Sequence, residues 1–596
     1  MLALDPHSHK QCLGVTAPVS HASPTPQDVQ LNANLISTLR SMDLFPSAED
    51  SQLREQVLGQ LYALVKSFVR RVAMNQGLPE ELAEETGGTI YSFGSFRLGV
   101  HGPGADIDTL CVAPKHVNRD DFFSVMYEML KSRDDVTELA AVPDAFVPVI
   151  TFEMRGVPID LLFCRLDMTQ VPENLSLSGI DILSKLDERD IRSLNGSRVT
   201  DEILRLVPDI NEFRTALRAI KRWAKVRGIY SNVMGFLGGV AWAMLVARVC
   251  QLYPNANSGT IVIKFFAIMQ AWPWPEPILL KPIEEAPLPF RIWNPRLYPA
   301  DRQHRMPIIT PAYPSMCATH NVTKSTFDVL KHEFHLGTQL TQRIQRGELA
   351  WSALFTPHSY FSKYKYYLQL VVSSTAKETH LKFSGYMESR LRRQVLDLED
   401  HGELDLIHPY FKGVERVFTY ETDEQRVALA GGAWADRLPA LSGEAVAQAE
   451  SAAAAAAAAE AQTAAAGSEG GPAQVAAPKV LYTTSFYLGL VLKDAATQQP
   501  GQRRRLDIGW LLPQIVATAK AFVGFDEGLA NMSVTMQTLR KATLPKDIDP
   551  KQQQAQAGQG ANKRKVEEEA VQGAGEESIK RQKQAHEAAS AMSMST

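Results

Sequence analysis

The chain has 596 residues, 45% hydrophobic and 21% charged, with a formal net charge of −4. That length exceeds one hydrophobic core and reads as about three domains of roughly 100–200 residues each, and the charge excludes a polycation that coats nucleic acid everywhere, though not a basic groove. Five scattered cysteines (Cys12, Cys111, Cys164, Cys250, Cys317), with no C-x-x-C pair, argue against a disulfide scaffold or zinc site and for a reducing compartment.

Residues 1–28, rich in His, Ser and Pro, read as a flexible tail without the basic-then-apolar pattern of a secretory signal. From Asn32 to Gly77 apolar residues recur at helical spacing (Leu53, Val57, Leu61, Leu64, Val65, Phe68, Val72). Strands are expected at Thr89–Phe93, Asp106–Ala113, Val147–Met154 and Ile159–Leu166, with a helix over Asp120–Ser132. This makes an α/β catalytic domain with a mixed sheet, residues 29–208.

A helical pattern then fills 209–356. One helix buries Phe213, Leu217, Ile220, Trp223 and Ala224 while Arg214, Arg218, Lys221, Arg222 and Lys225 occupy its other faces. Helices follow at Val233–Cys250, Ile261–Ala271 and Ser325–Arg346. The apolar run Val233–Ala247 is shorter than the roughly 20 residues that cross a bilayer, so a soluble protein with no membrane partner is expected.

Residues 357–545 combine an aromatic and lysine-rich run (Tyr360–Ser373), helices near Gly385–Glu399 and Trp510–Val523, and strands at Val480–Leu492 and Met532–Leu539. This is the pattern of a small α+β module of RRM-like architecture. An alanine-rich insert, 430–478, interrupts it and is expected to be disordered for want of large apolar groups. The polar segment 546–596 reads as a disordered tail. Its Lys563-Arg564-Lys565 and Lys580-Arg581-Gln582-Lys583 clusters have the form of a bipartite nuclear localisation signal.

The chemistry concentrates in Tyr91-Ser-Phe-Gly-Ser-Phe-Arg-Leu-Gly-Val-His-Gly-Pro-Gly-Ala-Asp-Ile-Asp108. Residues two apart on a strand share a face, about 6.6 Å apart, so Asp106 and Asp108 point the same way. Asp160, a lone charge among apolar neighbours, is the expected third carboxylate, because a buried unpaired carboxylate is costly and a metal is a natural counter-charge. Such a triad suits Mg²⁺, with two ions ~3.5–4 Å apart. Gly94-Ser95 is a turn that lets backbone N–H groups approach a triphosphate closely.

The stretch from Phe93 to Asp108 resembles the signature of eukaryotic poly(A) polymerases, within the polymerase-β-like nucleotidyltransferases. The likeness continues through Asn195-Gly-Ser-Arg-Val-Thr-Asp-Glu202, Arg218-Ala-Ile-Lys-Arg-Trp223, Gly235–Leu245 and His304–Met316. The resemblance implies a catalytic, a central helical and an RRM-like RNA-binding domain. It implies ATP as donor and an RNA 3′ end, as in pre-mRNA, as acceptor. It also implies Mg²⁺ with Mn²⁺ able to substitute, cleavage and polyadenylation factors as partners, a monomer, and a nuclear location. Carried over by motif, Asp106, Asp108 and Asp160 hold metal, and Phe93, Gly94 and Ser95 flank the nucleotide. Lys221 meets phosphate, and Tyr230, Asn232, Gly239 and Val240 bound the ATP site from the helical domain. The chain departs from the pattern at Thr151, where relatives commonly carry a lysine. A uridylyl- or CCA-adding enzyme with the same triad, or an inactive RNA-binding scaffold, are the alternatives.

Overall fold

The computed structural model describes residues 13–432, 440–441, 443–466, 479–493, 507–525, 531–545 and 548, with backbone alone over 456–466. The chain divides into two compact units between His358 and Ser359.

The first unit is built on a five-stranded sheet of β1 (Thr89–Ser92), β2 (Ile107–Ala113), β3 (Val136–Val142), β4 (Val149–Met154) and β5 (Val157–Arg165), in the order β1-β2-β5-β4-β3. β2 and β5 run parallel and the other pairs antiparallel. Strand periodicity sends Ile107, Cys111, Ile159, Leu161 and Phe163 to one face, against Val57, Leu61, Val65 and Phe68 of helix Ala48–Asn75. Leu110, Val112, Leu162 and Cys164 go to the other, against Leu194 of helix Glu188–Arg205. With both faces covered, β2 and β5 read as apolar runs in which a carboxylate stands out. The sequence reading does not foresee β3. It is an edge strand with an irregular register between Thr137 and Ala140 and Glu138 at φ 52, so its side chains lack a clean alternation.

Helices Ile210–Val226, Gly239–Leu252, Ser258–Ala271 and Lys324–Gln345 complete this unit around an aromatic cluster. The Trp223 ring meets Phe266 edge-on at 4.7 Å between centroids, and Gly337 is required because a Cβ there would stand 2.2 Å from Phe266. Two boundaries differ from expectation. The run from Asn32 to Gly77 is two helices, Pro26–Arg40 and Ala48–Asn75, separated at Asp43 (φ 51) and restarted by the Ser47 cap. The helix expected from Val233 starts at Gly239, because Gly235 turns the chain at φ 84.

The segment assigned to a flexible tail is, over residues 13–28, part of the fold. The N–H groups of Val19 and Ser20 donate to Leu252 O at 2.9 and 3.3 Å. Gln251 Nε2 donates to Leu13 O at 3.3 Å, and Arg248 Nη2 to Thr16 Oγ1 at 2.7 Å. Composition does not register such backbone docking. Residues 1–12 of that segment lie outside the described residues.

The second unit carries β6 (Tyr366–Ser374), β7 (Leu404–Pro409), β8 (Val414–Tyr420), β9 (Lys479–Leu492) and β10 (Ser533–Arg540), in the order β10-β6-β9-β7. β8 pairs with the first half of β9 and β7 with the second. With helices Lys377–Asp400 and Leu511–Lys520 between strands, and β7 and β8 taken together as one interrupted strand along β9, this is the β-α-β-β-α-β winding of an RRM-like module. The short β7 and β8 are not legible in the sequence. The alanine-rich insert contains helix Glu444–Ala466, contrary to the expected disorder: alanine favours helix, and Glu450 anchors it to Lys377 Nζ at 3.0 Å and the Tyr482 hydroxyl at 3.2 Å. The remainder of the insert over 467–478 and the tail over 549–596 lie outside the described residues. No helix among the described residues is long and apolar enough to cross a membrane.

Candidate active site

The parallel register of β2 and β5 sets Asp108 beside Asp160. Asp106 stands one residue before β2, and the ligand oxygens of all three lie within 4.8 Å of one another. Burial, then the Asp106 and Asp160 charges, push the Asp108 carboxyl up to about 7, against the pull of Lys221 and the Ser95 N–H. Burial and Asp106 likewise raise Asp160. Two partly buried carboxylates and the exposed Asp106 beside them, repelling one another, are a donor set for a divalent cation, which takes hard oxygen ligands and removes the repulsion.

The Gly94-Ser95 turn is fitted to this cluster. Gly94 has φ +62, and a Cβ on it would stand 2.0 Å from Asp108 Oδ2, so any side chain would displace the carboxylate. Its N–H donates to Thr200 Oγ1 at 3.2 Å, and that hydroxyl donates to Gly196 O at 2.8 Å. Gly196 in turn makes room for the Phe93 ring, whose carbons would lie 2.8 Å from a Cβ there. Phe93 thus supports the turn from the hydrophobic core.

The facing wall is helix Ile210–Val226. Arg214 Nε donates to Leu98 O at 2.8 Å, Arg218 Nη2 to Gly99 O at 2.5 Å, and Lys221 Nζ to Val100 O at 3.2 Å. From the sheet side, buried Arg54 donates to Ala105 O at 2.7 Å while Asp50 holds its Nε at 2.9 Å. The loop leading to Asp106 is therefore held by four cationic side chains. Burial, then Lys225 and Arg218, lower Lys221 to about 8 despite Asp106 and Asp108. Burial, then the same two aspartates, raise the Tyr230 phenol to about 12. The Tyr230 hydroxyl would stand 2.6 Å from a Cβ on Gly239.

Between the walls lies a cleft of about 520 Å³. Of the residues singled out in the sequence, Gly94, Ser95, Asp106, Asp108, Lys221, Tyr230, Gly239 and Val240 line it. Asp160 joins through Asp108. Asn232 is exposed and lies off the lining, its carbonyl accepting from Asn321 Nδ2 at 3.1 Å. Thr151 pairs with Asp160 across β4 and β5, so the departure from the family pattern sits directly beside the third carboxylate.

Known proteins match along nearly the whole described chain. The poly(A) polymerase nucleotidyltransferase domain matches residues 14–207, the poly(A) polymerase central domain 212–357, and the poly(A) polymerase predicted RNA binding domain 359–558. The poly(A) polymerase pla1 of Schizosaccharomyces pombe is 44% identical over 90% of this chain and 93% of its own. The poly(A) polymerase PAPa of Candida albicans is 52% identical over 70% of this chain and 75% of its own. The chain belongs to the poly(A) polymerase family.

A structure described as that of Cid1, with RNA terminal uridylyl transferase activity, is 15% identical and covers 56% of this chain and 99% of that one. Its TM-score is 0.38. In this family member the sequence reading did not give a site role to Arg54, Thr200, Arg214 or His101. Arg54 had a signal, a lone charge inside the apolar stripe of its helix; Thr200 and Arg214 sit on helix faces whose direction only packing reveals. His101, with 8% exposure, lines the cleft.

Proposed function

We propose that the protein is a polynucleotide adenylyltransferase that transfers AMP from ATP, without a template, to the 3′-OH of RNA and releases pyrophosphate. The observation that carries this reading is the carboxylate cluster facing Lys221 and Tyr230 across one cleft, in a chain of this family. Asp106, Asp108 and Asp160 would hold Mg²⁺, with Mn²⁺ able to replace it. Two such ions, when bound, supply activation of the 3′-OH and neutralisation of charge on the departing pyrophosphate.

The rest is the work of the chain. Gly94 and Gly239 remove bulk where backbone approaches the nucleotide, and Ser95 offers a hydroxyl. Lys221, now on a carbonyl, can exchange that partner for a phosphate oxygen, to which its compact ammonium is suited. Tyr230 presents a ring for a base and Asn232 an amide for the adenine edge. Phe93 acts from behind the turn. Primer extension on oligo(A) with each of the four nucleotides tests the reading: ATP should be incorporated in preference, and preferred UTP or CTP incorporation would replace it with a uridylyl- or CCA-adding function. The protein is read as a monomer that works with cleavage and polyadenylation factors in the nucleus. The 563–565 and 580–583 clusters are the basis for the nuclear location, and a fluorescent fusion lacking them should stay cytoplasmic.

A further inference from the structure

On an RRM-like sheet, RNA bases stack on aromatic side chains of the open face. In the second unit that face is covered. Tyr367 and Tyr487 pack with Tyr360, Phe361 and Tyr364, while Val371 and Leu481 pack with Leu429 and Ala430. Its polar groups are occupied too: Tyr360 donates to His408 O at 2.6 Å, and Gln369 Nε2 donates to Ser485 Oγ at 3.2 Å and the Tyr487 hydroxyl at 3.0 Å. A base has no platform there.

A different platform stands where β6 begins and β10 ends. Tyr366 lies directly across from Arg540 in the β6–β10 pair. The Lys365 ammonium is 5.3 Å from the Tyr366 ring centroid. The Lys541 N–H donates to Lys365 O at 3.1 Å, which sets Lys541 beside this pair, and its ammonium reaches Ser362 O at 2.9 Å. Lys365, Arg540 and Lys541 are exposed, and Tyr366 is half-buried. Among the described residues none of the three cations has an ion-pair partner. Of the acids at this end of the sheet, Asp405 is in β7 and Glu403 immediately precedes it, and β9 and β6 stand between β7 and β10. Three like charges gathered without ion-pair partners beside one half-buried ring repel one another and attract a polyanion.

We propose that Lys365, Arg540 and Lys541 bind successive phosphates of a single-stranded segment of the RNA, with one base stacked on Tyr366. Phosphate contact with stacking is the general mode for single strands and carries little sequence preference. This rests on RNA being the acceptor, and the experiment separates the two readings. Anisotropy of a labelled oligo(A) of about 20 nucleotides would be followed against salt for the full chain, for the combined Lys365→Glu, Arg540→Glu, Lys541→Glu variant, and for Tyr366→Leu. The charge variant should bind at least roughly tenfold more weakly, with the slope of log K against log salt shallower by about 2, since each phosphate of a single strand contributes about 0.7. Tyr366→Leu should lose roughly tenfold with the slope unchanged. Both should keep the wild-type melting temperature, kcat and KM for ATP, and raise KM for primer. Wild-type affinity and slope in the charge variant would overturn the assignment while leaving the acceptor reading intact. An unmodified chain that binds no oligo(A) would remove the acceptor reading and this one with it.

Discussion

The cleft of the first unit and the covered sheet face of the second treat buried polar groups in opposite ways. In the cleft, Asp108 is crowded by Asp106 and Asp160, and both ring nitrogens of His101 are buried with no hydrogen-bond partner among the described residues. On the covered face, Gln369 joins Ser485, Tyr487 and, at 2.6 Å, Gln537, and Tyr360 serves two carbonyls and the Gly489 N–H. A fold satisfies its buried polar groups unless something else is to meet them. The unsatisfied region is where a ligand completes the structure, and the satisfied one is architecture.

That contrast can be broken in four ways, taken from the largest effect down. Asp106→Asn or Asp108→Asn should lower AMP incorporation by on the order of 10³-fold or more while circular dichroism stays unchanged, because the proposed metal donor set is lost. Incorporation at wild-type rate by either variant would remove the carboxylates from the chemistry. Gly94→Ala places a methyl against Asp108 Oδ2 at a left-handed φ, and should cost roughly 10²-fold in kcat/KM, about 3 kcal/mol. An alanine variant as active as wild type would show that the turn relaxes freely.

In the second unit the currency is stability. Gln369→Leu strands Ser485, Tyr487 and Gln537 and should destabilise the protein by about 2 kcal/mol in denaturant titration, with KM for ATP unmoved. The smallest effect has the opposite sign. The Asp108 carboxyl is raised above its ordinary value in the folded protein, so the folded state holds a proton that the unfolded state has released between about pH 4 and 7. Metal-free stability therefore falls as pH rises through that window, and the penalty is fully present above pH 7. Asp108→Asn removes it, and at pH 8 in chelator should melt higher, by about 1 kcal/mol after allowance for solvent screening. Equal melting at pH 8 would mean the cluster carries no stored repulsion.

Much of the site was legible because its signals are local. Strand periodicity placed Asp106 and Asp108 on one side, and an apolar run made Asp160 conspicuous. Where signals were not local the reading failed. The N-terminal segment looked like a tail because its anchors, Leu252, Arg248 and Gln251, lie more than two hundred residues away. Strands β7 and β8 are short and have their ladder partner in β9, so no periodicity announces them.

By itself the sequence determined the carboxylates of the candidate site, the turn that precedes them and the family, since these depend on spacing along one stretch of chain. Tertiary structure decided three further matters. It put Asp160 beside Asp108 through a parallel pairing across some fifty residues. It turned the cations of helix Ile210–Val226 from a charged face into a clamp on the Leu98–Val100 carbonyls. It also closed the RRM-like face and left Lys365, Arg540 and Lys541 at its rim. Each depends on which surface meets which, and that follows from burying the apolar faces of separate elements together, which no single stretch of sequence encodes.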